Sequence, residues 1–324
     1  MKEHLLQYID QSKTAFVRGL RILVEYFYAT EIFEPIVRSD IKIVSVFGSA
    51  RTKVDTPEYE DAHQLGALLY ENGYAVVTGA SAGIMQAANE GVAYAIIKKL
   101  KKRLKLKTDA QVMASKDYEA MIKKASVGLK ISLPFEPTSN PYVGVVATFH
   151  YFMVRKFFFG TLSSAFIACE GGWGTRDEFF EILTLVQTGK APLMPIIYVS
   201  PDPEHLQVDL NFCLKKKYID SDDIHLIDIV PDNRQAVAII NRFYKVVDKI
   251  SYDKPNTVQI DLKKEVNDRQ KKALASLIKT HQGIVTKAIY GPKRIELTGF
   301  NYKSYGVIRK MIDGLNDCAW GYFF

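Results

Sequence analysis

Residues 164–169 are short, apolar and closed by a glycine turn, which predicts a buried parallel strand. The chain then reads Glu170-Gly171-Gly172-Trp173-Gly174-Thr175-Arg176-Asp177-Glu178. Beyond it, Phe179, Phe180, Ile182, Leu183, Leu185 and Val186 recur at helical spacing among Glu181 and Gln187. Three glycines thus stand between a strand end and a helix start. Glycines there let the backbone turn and let a ligand approach the main chain. Free N–H groups and the helix dipole at such a start suit a phosphate. Locally, Thr175 also fits a helix cap, with Glu178 three residues on completing a capping box. The two readings are compatible.

The same unit occurs twice more upstream. Residues 41–47 predict a strand ending at Gly48-Ser49-Ala50-Arg51, where open α/β sheets bind ligands. Arg51 there holds a phosphate or carboxylate, or is a solvated loop arginine. A helix over 57–72 starts at Pro57 and ends at Asn72-Gly73. Residues 74–78 predict a strand, Gly79-Ala80-Ser81-Ala82-Gly83 a small-residue turn, and 84–97 a helix. This alternation predicts an α/β fold, a Rossmann-like doubly wound parallel sheet.

Other segments extend the pattern. Residues 3–28 predict a helix for packing or dimerisation, and 98–124 a basic, helix-forming surface insertion. A strand over 127–133 precedes a rigid connection with Pro134, Pro137 and Pro141. Residues 143–159 read as an aromatic-rich apolar helix in which Arg155 and Lys156 need partners or a path to water. His150 reads as a packed or surface histidine. A strand over 194–199 and helices within 210–248, with a short strand near 224–230, end the alternation. Residues 1–248 thus form one domain, 249–256 a linker, and 249–324 a small C-terminal α+β extension: strand 258–262, helix 264–279, strands 283–289 and 294–298, helix 303–315.

Composition narrows the class. The chain has 324 residues, 48% hydrophobic and 24% charged, ordinary for a globular protein. Much of the net charge of +7 is attributed to the run 98–107, read as a solvated face, so no nucleic acid is expected as partner. Cys169, Cys213 and Cys318 are odd in number and lack ligand spacing, which argues against disulfides and zinc. With charges interrupting residues 1–35 and no long apolar run, a cytoplasmic location without membrane contact is expected.

The motif 171–178 resembles the GGxGTxxE signature of the LOG (Lonely Guy) family of phosphoribohydrolases, long labelled possible lysine decarboxylases. Val46-Phe47-Gly48-Ser49-Ala50-Arg51, the turn 79–83 with residues 84–89, Asn140-Pro141-Tyr142, Phe152-Met153-Val154-Arg155-Lys156 and 184–190 resemble further family segments. The resemblance covers roughly residues 15–248. It implies hydrolysis of the N-glycosidic bond of a nucleoside 5′-monophosphate to free base and ribose 5-phosphate, without a cofactor or metal, by a homodimer or higher homo-oligomer. It places Arg155 and Glu178 in catalytic positions. Gly171, Gly172, Gly174 and Thr175, with Ser49, Arg51, Gly79, Lys156 and Asn140, take substrate- and phosphate-binding positions. Lysine decarboxylation would need a lysine Schiff base to pyridoxal phosphate, and no segment presents that signature. Two departures stand out. Glu170 replaces the family's proline, and Ala80, Ser81 and Ala82 occupy a turn commonly richer in glycine. They feed the alternative of a non-catalytic nucleotide-binding or sensing protein on the same fold.

Overall fold

The computed structural model describes residues 15–134 and 138–316. The chain divides into two compact units, Met1–Ser164 and Ala165–Phe324. The first holds α1 (Ala15–Val37), β1 (Ile43–Phe47), α2 (Pro57–Glu71), β2 (Ala75–Thr78), α3 (Ile84–Leu104), α4 (Asp109–Met113), α5 (Lys116–Ala125), β3 (Ser126–Ile131), β4 (Val145–Phe149) and α6 (Phe152–Leu162). The division falls within β5 (Ser163–Cys169). The second holds α7 (Trp173–Gln187), β6 (Ile196–Val199), α8 (Glu204–Lys216), β7 (Ile227–Val230), α9 (Asn233–Phe243), β8 (Val247–Ser251), β9 (Thr257–Leu262), α10 (Asp268–Thr280), β10 (Lys287–Tyr290), β11 (Arg294–Thr298) and α11 (Tyr305–Leu315). The parallel strands follow the order β4-β3-β2-β1-β5-β6-β7, a Rossmann-like α/β sheet, and the antiparallel strands the order β10-β11-β9-β8.

Local chemistry explains the elements. Every residue of β1, β2 and β3 is buried, as continuous apolar runs in a parallel sheet require. Thr56 caps α2 by accepting the Tyr59 N–H at 3.4 Å, Pro57 opens the helix, and Glu58 and Glu60 sit at its positive end. Thr108 and Gln111 form a reciprocal capping box on α4.

Four expectations need correction. α1 runs to Val37 rather than residue 28, because Ala29, Phe33 and Ile36 continue its buried stripe through Pro35; residues 3–14 of the expected helix lie outside the described residues. α3 runs to Leu104 rather than 97, since fully buried Leu100 continues its core face. Residues 145–149 are strand rather than helix; their apolar run abuts the aromatic run of α6 and hides the change of period. Residues 247–251 are a strand paired with β9, so the stretch read as a linker is partly sheet.

The basic segment after residue 97 is the end of α3 followed by α4 and α5, whose Val112, Tyr118 and Ile122 are buried. Two of the seven cations in 98–107 are answered locally: Lys101 pairs with Asp109, and Arg103 with Asp117 at 2.5 Å.

In the second unit α11 is buried along Val307, Ile308, Met311, Ile312 and Leu315. Leu193 N–H donates to the Tyr252 hydroxyl at 3.2 Å, and Lys310 pairs with Asp222 at 2.6 Å, so the tail is knitted into this unit. Burial, helped by the Lys310 charge, lowers the His225 pKa to about 4. A folded pKa below the unfolded one stabilises the neutral form, fully above about pH 6.5, and this is lost as pH falls toward about 4. The melting temperature of wild type is therefore expected to fall relative to that of His225→Gln as pH falls from 6.5 to 4.

Candidate functional site

In the second unit, β5 ends at Cys169 and α7 begins at Trp173. The helix starts two residues before Thr175, so Thr175 lies in the first turn and the expected capping box is absent; the N-cap is Gly172, which has no side chain to offer. Gly172 adopts an ordinary extended conformation (φ −84°, ψ −156°), so the turn itself does not demand glycine. A Cβ added at Gly172 or Gly174 would meet nothing within 4 Å. What these glycines leave is bare, open main chain at the positive end of a 15-residue helix. Trp173 beside them is 88% exposed. Thr175 is buried, and Glu178, one turn deeper on the same face, is 4% exposed.

Glu170, at the family's proline position, accepts a 2.5 Å hydrogen bond from the hydroxyl of buried Ser200. Its charge is thereby fixed against the end of β6. Gly171, Thr175, Arg176, Tyr198, His205 and Asp209 line a small pocket beside the loop. The Tyr198 hydroxyl lies 3.0 Å from His205 Nε2. Burial, then the Glu170 charge, pushes Tyr198 up to about 12, partly offset by Arg176. Sequence reasoning missed Arg176, Tyr198, His205 and Asp209, which come from three elements with no shared motif.

In the first unit the two upstream loops interlock. Gly83 is in the left-handed region (φ +67°), and a Cβ there would collide with the Ser49 carbonyl. The Ile84 N–H donates to that carbonyl at 3.0 Å, and the Ser49 hydroxyl accepts the Arg51 N–H at 3.1 Å. The Arg51 side chain is exposed. Ala80 takes φ +59° at a position where glycine would be unstrained. Its N–H donates to Thr78 Oγ1 at 3.0 Å, and its carbonyl accepts the Asn140 N–H at 2.9 Å. The Asn140 amide donates to Ser81 O and Asn89 Oδ1 at 3.2 and 3.1 Å, so Asn140 clamps the loop from within.

Arg155 is buried, with its guanidinium 5.0 Å from the Phe152 ring centre and 5.7 Å from that of Phe159. A Cβ on Gly79 would stand 2.8 Å from Met85 Sδ and 3.9 Å from Arg155 Nη1, so Met85 packs closest against this glycine. Lys156, next to it, is half-buried.

The helix bearing Arg155 is anchored by a residue with no motif. Glu25 of α1, 3% exposed, accepts the His150 N–H at 3.1 Å and the Tyr151 N–H at 3.3 Å, and lies 3.1 Å from His150 Nδ1. It caps α6 from 125 residues away. Glu25→Ala is expected to cost about 1–2 kcal/mol of stability and to lower any turnover that uses Arg155 roughly tenfold. Glu25→Gln, which keeps an acceptor, should recover most of both; thermal melts and kcat on the same preparations check this.

Residues 85–240 match the family model described as "Possible lysine decarboxylase", and residues 41–96 match the SLOG cluster4 family. Together the matches run from β1 into α9, through the three glycine-bearing loops. The matched segments carry the motifs on which the resemblance to the LOG family rests. The matches support a nucleotide-related, SLOG-type protein and are compatible with an enzymatic role. Residues 249–316 lie outside both matches. Among solved structures, the chain is similar to the molybdenum cofactor binding protein of Rippkaea orientalis (18% identity, TM-score 0.41, covering 62% of this chain and 96% of that one). It is also similar to TM1055, a structural genomics target (20%, TM-score 0.43, 62% and 99%). A third is the molybdenum cofactor carrier protein of Chlamydomonas reinhardtii (17%, TM-score 0.42, 62% and 97%). No curated protein matches the chain. Among the described residues, no helix is long and apolar enough to cross a membrane, Cys169 and Cys213 are in no disulfide, and no group of three His, Cys, Asp or Glu is placed to hold a metal ion.

Proposed function

We propose that this protein, which resembles the LOG family, hydrolyses the N-glycosidic bond of a nucleoside 5′-monophosphate, releasing base and ribose 5-phosphate. The observation that carries the reading is the open main chain of residues 171–174 at the start of α7, with a buried carboxylate one turn further in. The loop takes the 5′-phosphate on backbone N–H groups, with the Thr175 hydroxyl as a further donor. Cleavage at the anomeric carbon builds positive charge on the ribose, and Glu178 stabilises that charge or activates the attacking water. By the resemblance to the LOG family, Arg155 takes a catalytic role and Lys156, Ser49, Arg51 and Gly79 take substrate-binding roles. Asn140 acts through the loop it clamps. Water is the co-substrate, so no cofactor is required.

The alternative, a nucleotide-binding or sensing protein without turnover, draws on Glu170, a charge where the family has proline. Against it, Glu170 is occupied by Ser200. Chromatography of base released from a panel of nucleoside 5′-monophosphates, read beside nucleotide-induced thermal shifts, separates the two. Release supports hydrolysis; a shift without release supports the sensor.

We also propose that the protein acts in the cytoplasm as a homodimer or higher homo-oligomer. The support is an apolar face on α1 and α6: Phe16, Leu23, Phe27, Met153 and Phe157 are more than half exposed, and Tyr26 stacks on Phe157 at 5.6 Å. Phe27→Glu combined with Phe157→Glu is expected to convert the protein to monomer, as read by light scattering after gel filtration.

A further inference from the structure

The net charge of +7 resides entirely in the C-terminal extension. Residues 249–324 hold 14 Lys and Arg against 7 Asp and Glu, whereas residues 1–248 hold 29 of each. The conspicuous run at 98–107 is balanced by acidic residues elsewhere in 1–248 and is not the source. Within the extension, Glu296, Asp261 and Asp313 are already taken by Lys254, Arg294 and Arg309.

Part of the excess is displayed on one helix face, which also carries exposed Asp268 in its first turn. α10 buries Gln270, Leu274 and Ile278 and exposes Arg269, Lys272 and Lys279. Among the described residues none of these three has a carboxylate partner. The first and last are ten positions apart, about 15 Å of helix. Between them the face carries exposed Ala275 and Ser276, side chains too short to hold a chain of phosphates away. This strip lacks the large apolar residues by which a surface helix enters a bilayer. Lysine and arginine separated by small residues suit phosphates met in series, without base readout.

We infer that the C-terminal extension binds the phosphate backbone of nucleic acid through the outer face of α10. The inference stands independently of the nucleosidase reading, because it uses neither the glycine loops nor Glu178.

The test is fluorescence anisotropy of the full chain with labelled 20-mers of RNA and DNA, single- and double-stranded, at 50 and 200 mM salt. Three phosphate contacts predict an affinity loss of roughly 20- to 40-fold across that fourfold salt change. The triple variant R269Q/K272Q/K279Q is expected to bind at least tenfold more weakly with most of the salt dependence gone, and with an unchanged melting temperature. K98Q/K102Q, in the other basic run, should bind as wild type. Three results would overturn the inference: no binding at 50 mM salt, binding that the triple variant retains, or association with phosphatidylserine vesicles but with no oligonucleotide.

Discussion

Glu178→Gln is expected to lower base release from a nucleoside 5′-monophosphate by about 10²–10⁴-fold while leaving the fold intact. Glu178 is 4% exposed, in the second turn of α7, where a substrate phosphate on the 171–174 loop would bring the ribose within reach of the same helix face. A carboxylate held out of water acts strongly on a developing oxocarbenium charge, because little solvent screens the pair. Glutamine keeps the volume and the hydrogen-bonding capacity but neither the charge nor the basicity. Substrate binding, which rests on the loop, should change far less than kcat. Single-turnover rates and nucleotide-induced thermal shifts read the two separately. A Glu178→Gln protein within threefold of wild-type turnover would remove Glu178 from the chemistry.

The largest expected effect on stability lies elsewhere in the second unit. The Arg309 side chain is 1% exposed, pairs with Asp228 at 2.6 Å and Asp313 at 3.1 Å, and stands 5.5 Å from the Phe243 ring centre. Burial opposes its charge, but the two carboxylates more than offset that and hold the guanidinium protonated. Arg309→Ala leaves two carboxylates, 19% and 15% exposed, facing each other without a cation. Breaking a buried pair in this way costs about 3–5 kcal/mol, which for a unit of this size lowers the melting temperature by roughly 10–15 °C. Restoring balance with Arg309→Met and Asp228→Asn together should recover a large part of that loss. A double variant no better than Arg309→Ala would mean that packing, not charge, sets the cost.

The sheet was legible because each glycine-bearing loop sits between an apolar run and a helical stripe, and because parallel strands buried on both faces need no alternation. Where two apolar runs touch, as at Phe149 and Phe152, the period change vanishes and β4 was read as helix. The capping pattern at Thr175 misled for a related reason: a helix can begin on glycines, so the first residue able to cap was not the cap. The expected end of the first helix at residue 28 missed the core contacts of Phe33 and Ile36, which carry it through Pro35. Site features assembled from distant elements left no local trace. Glu25 capping α6, and Tyr198 meeting His205 beside the loop, exist only once the chain is folded. The charge imbalance was present in the composition, but a dense basic run drew the eye from a dispersed excess.

The central claim is tested most directly by product stoichiometry. Wild-type protein incubated with AMP, GMP, CMP, UMP and a cytokinin ribotide, and in parallel with the matching nucleosides, would be assayed for base and for ribose 5-phosphate. The account predicts equimolar base and ribose 5-phosphate from at least one monophosphate and none from its nucleoside, because the phosphate loop must be filled. Base release from no monophosphate, with nucleotides still raising the melting temperature, would contradict it and leave the binding protein as the reading.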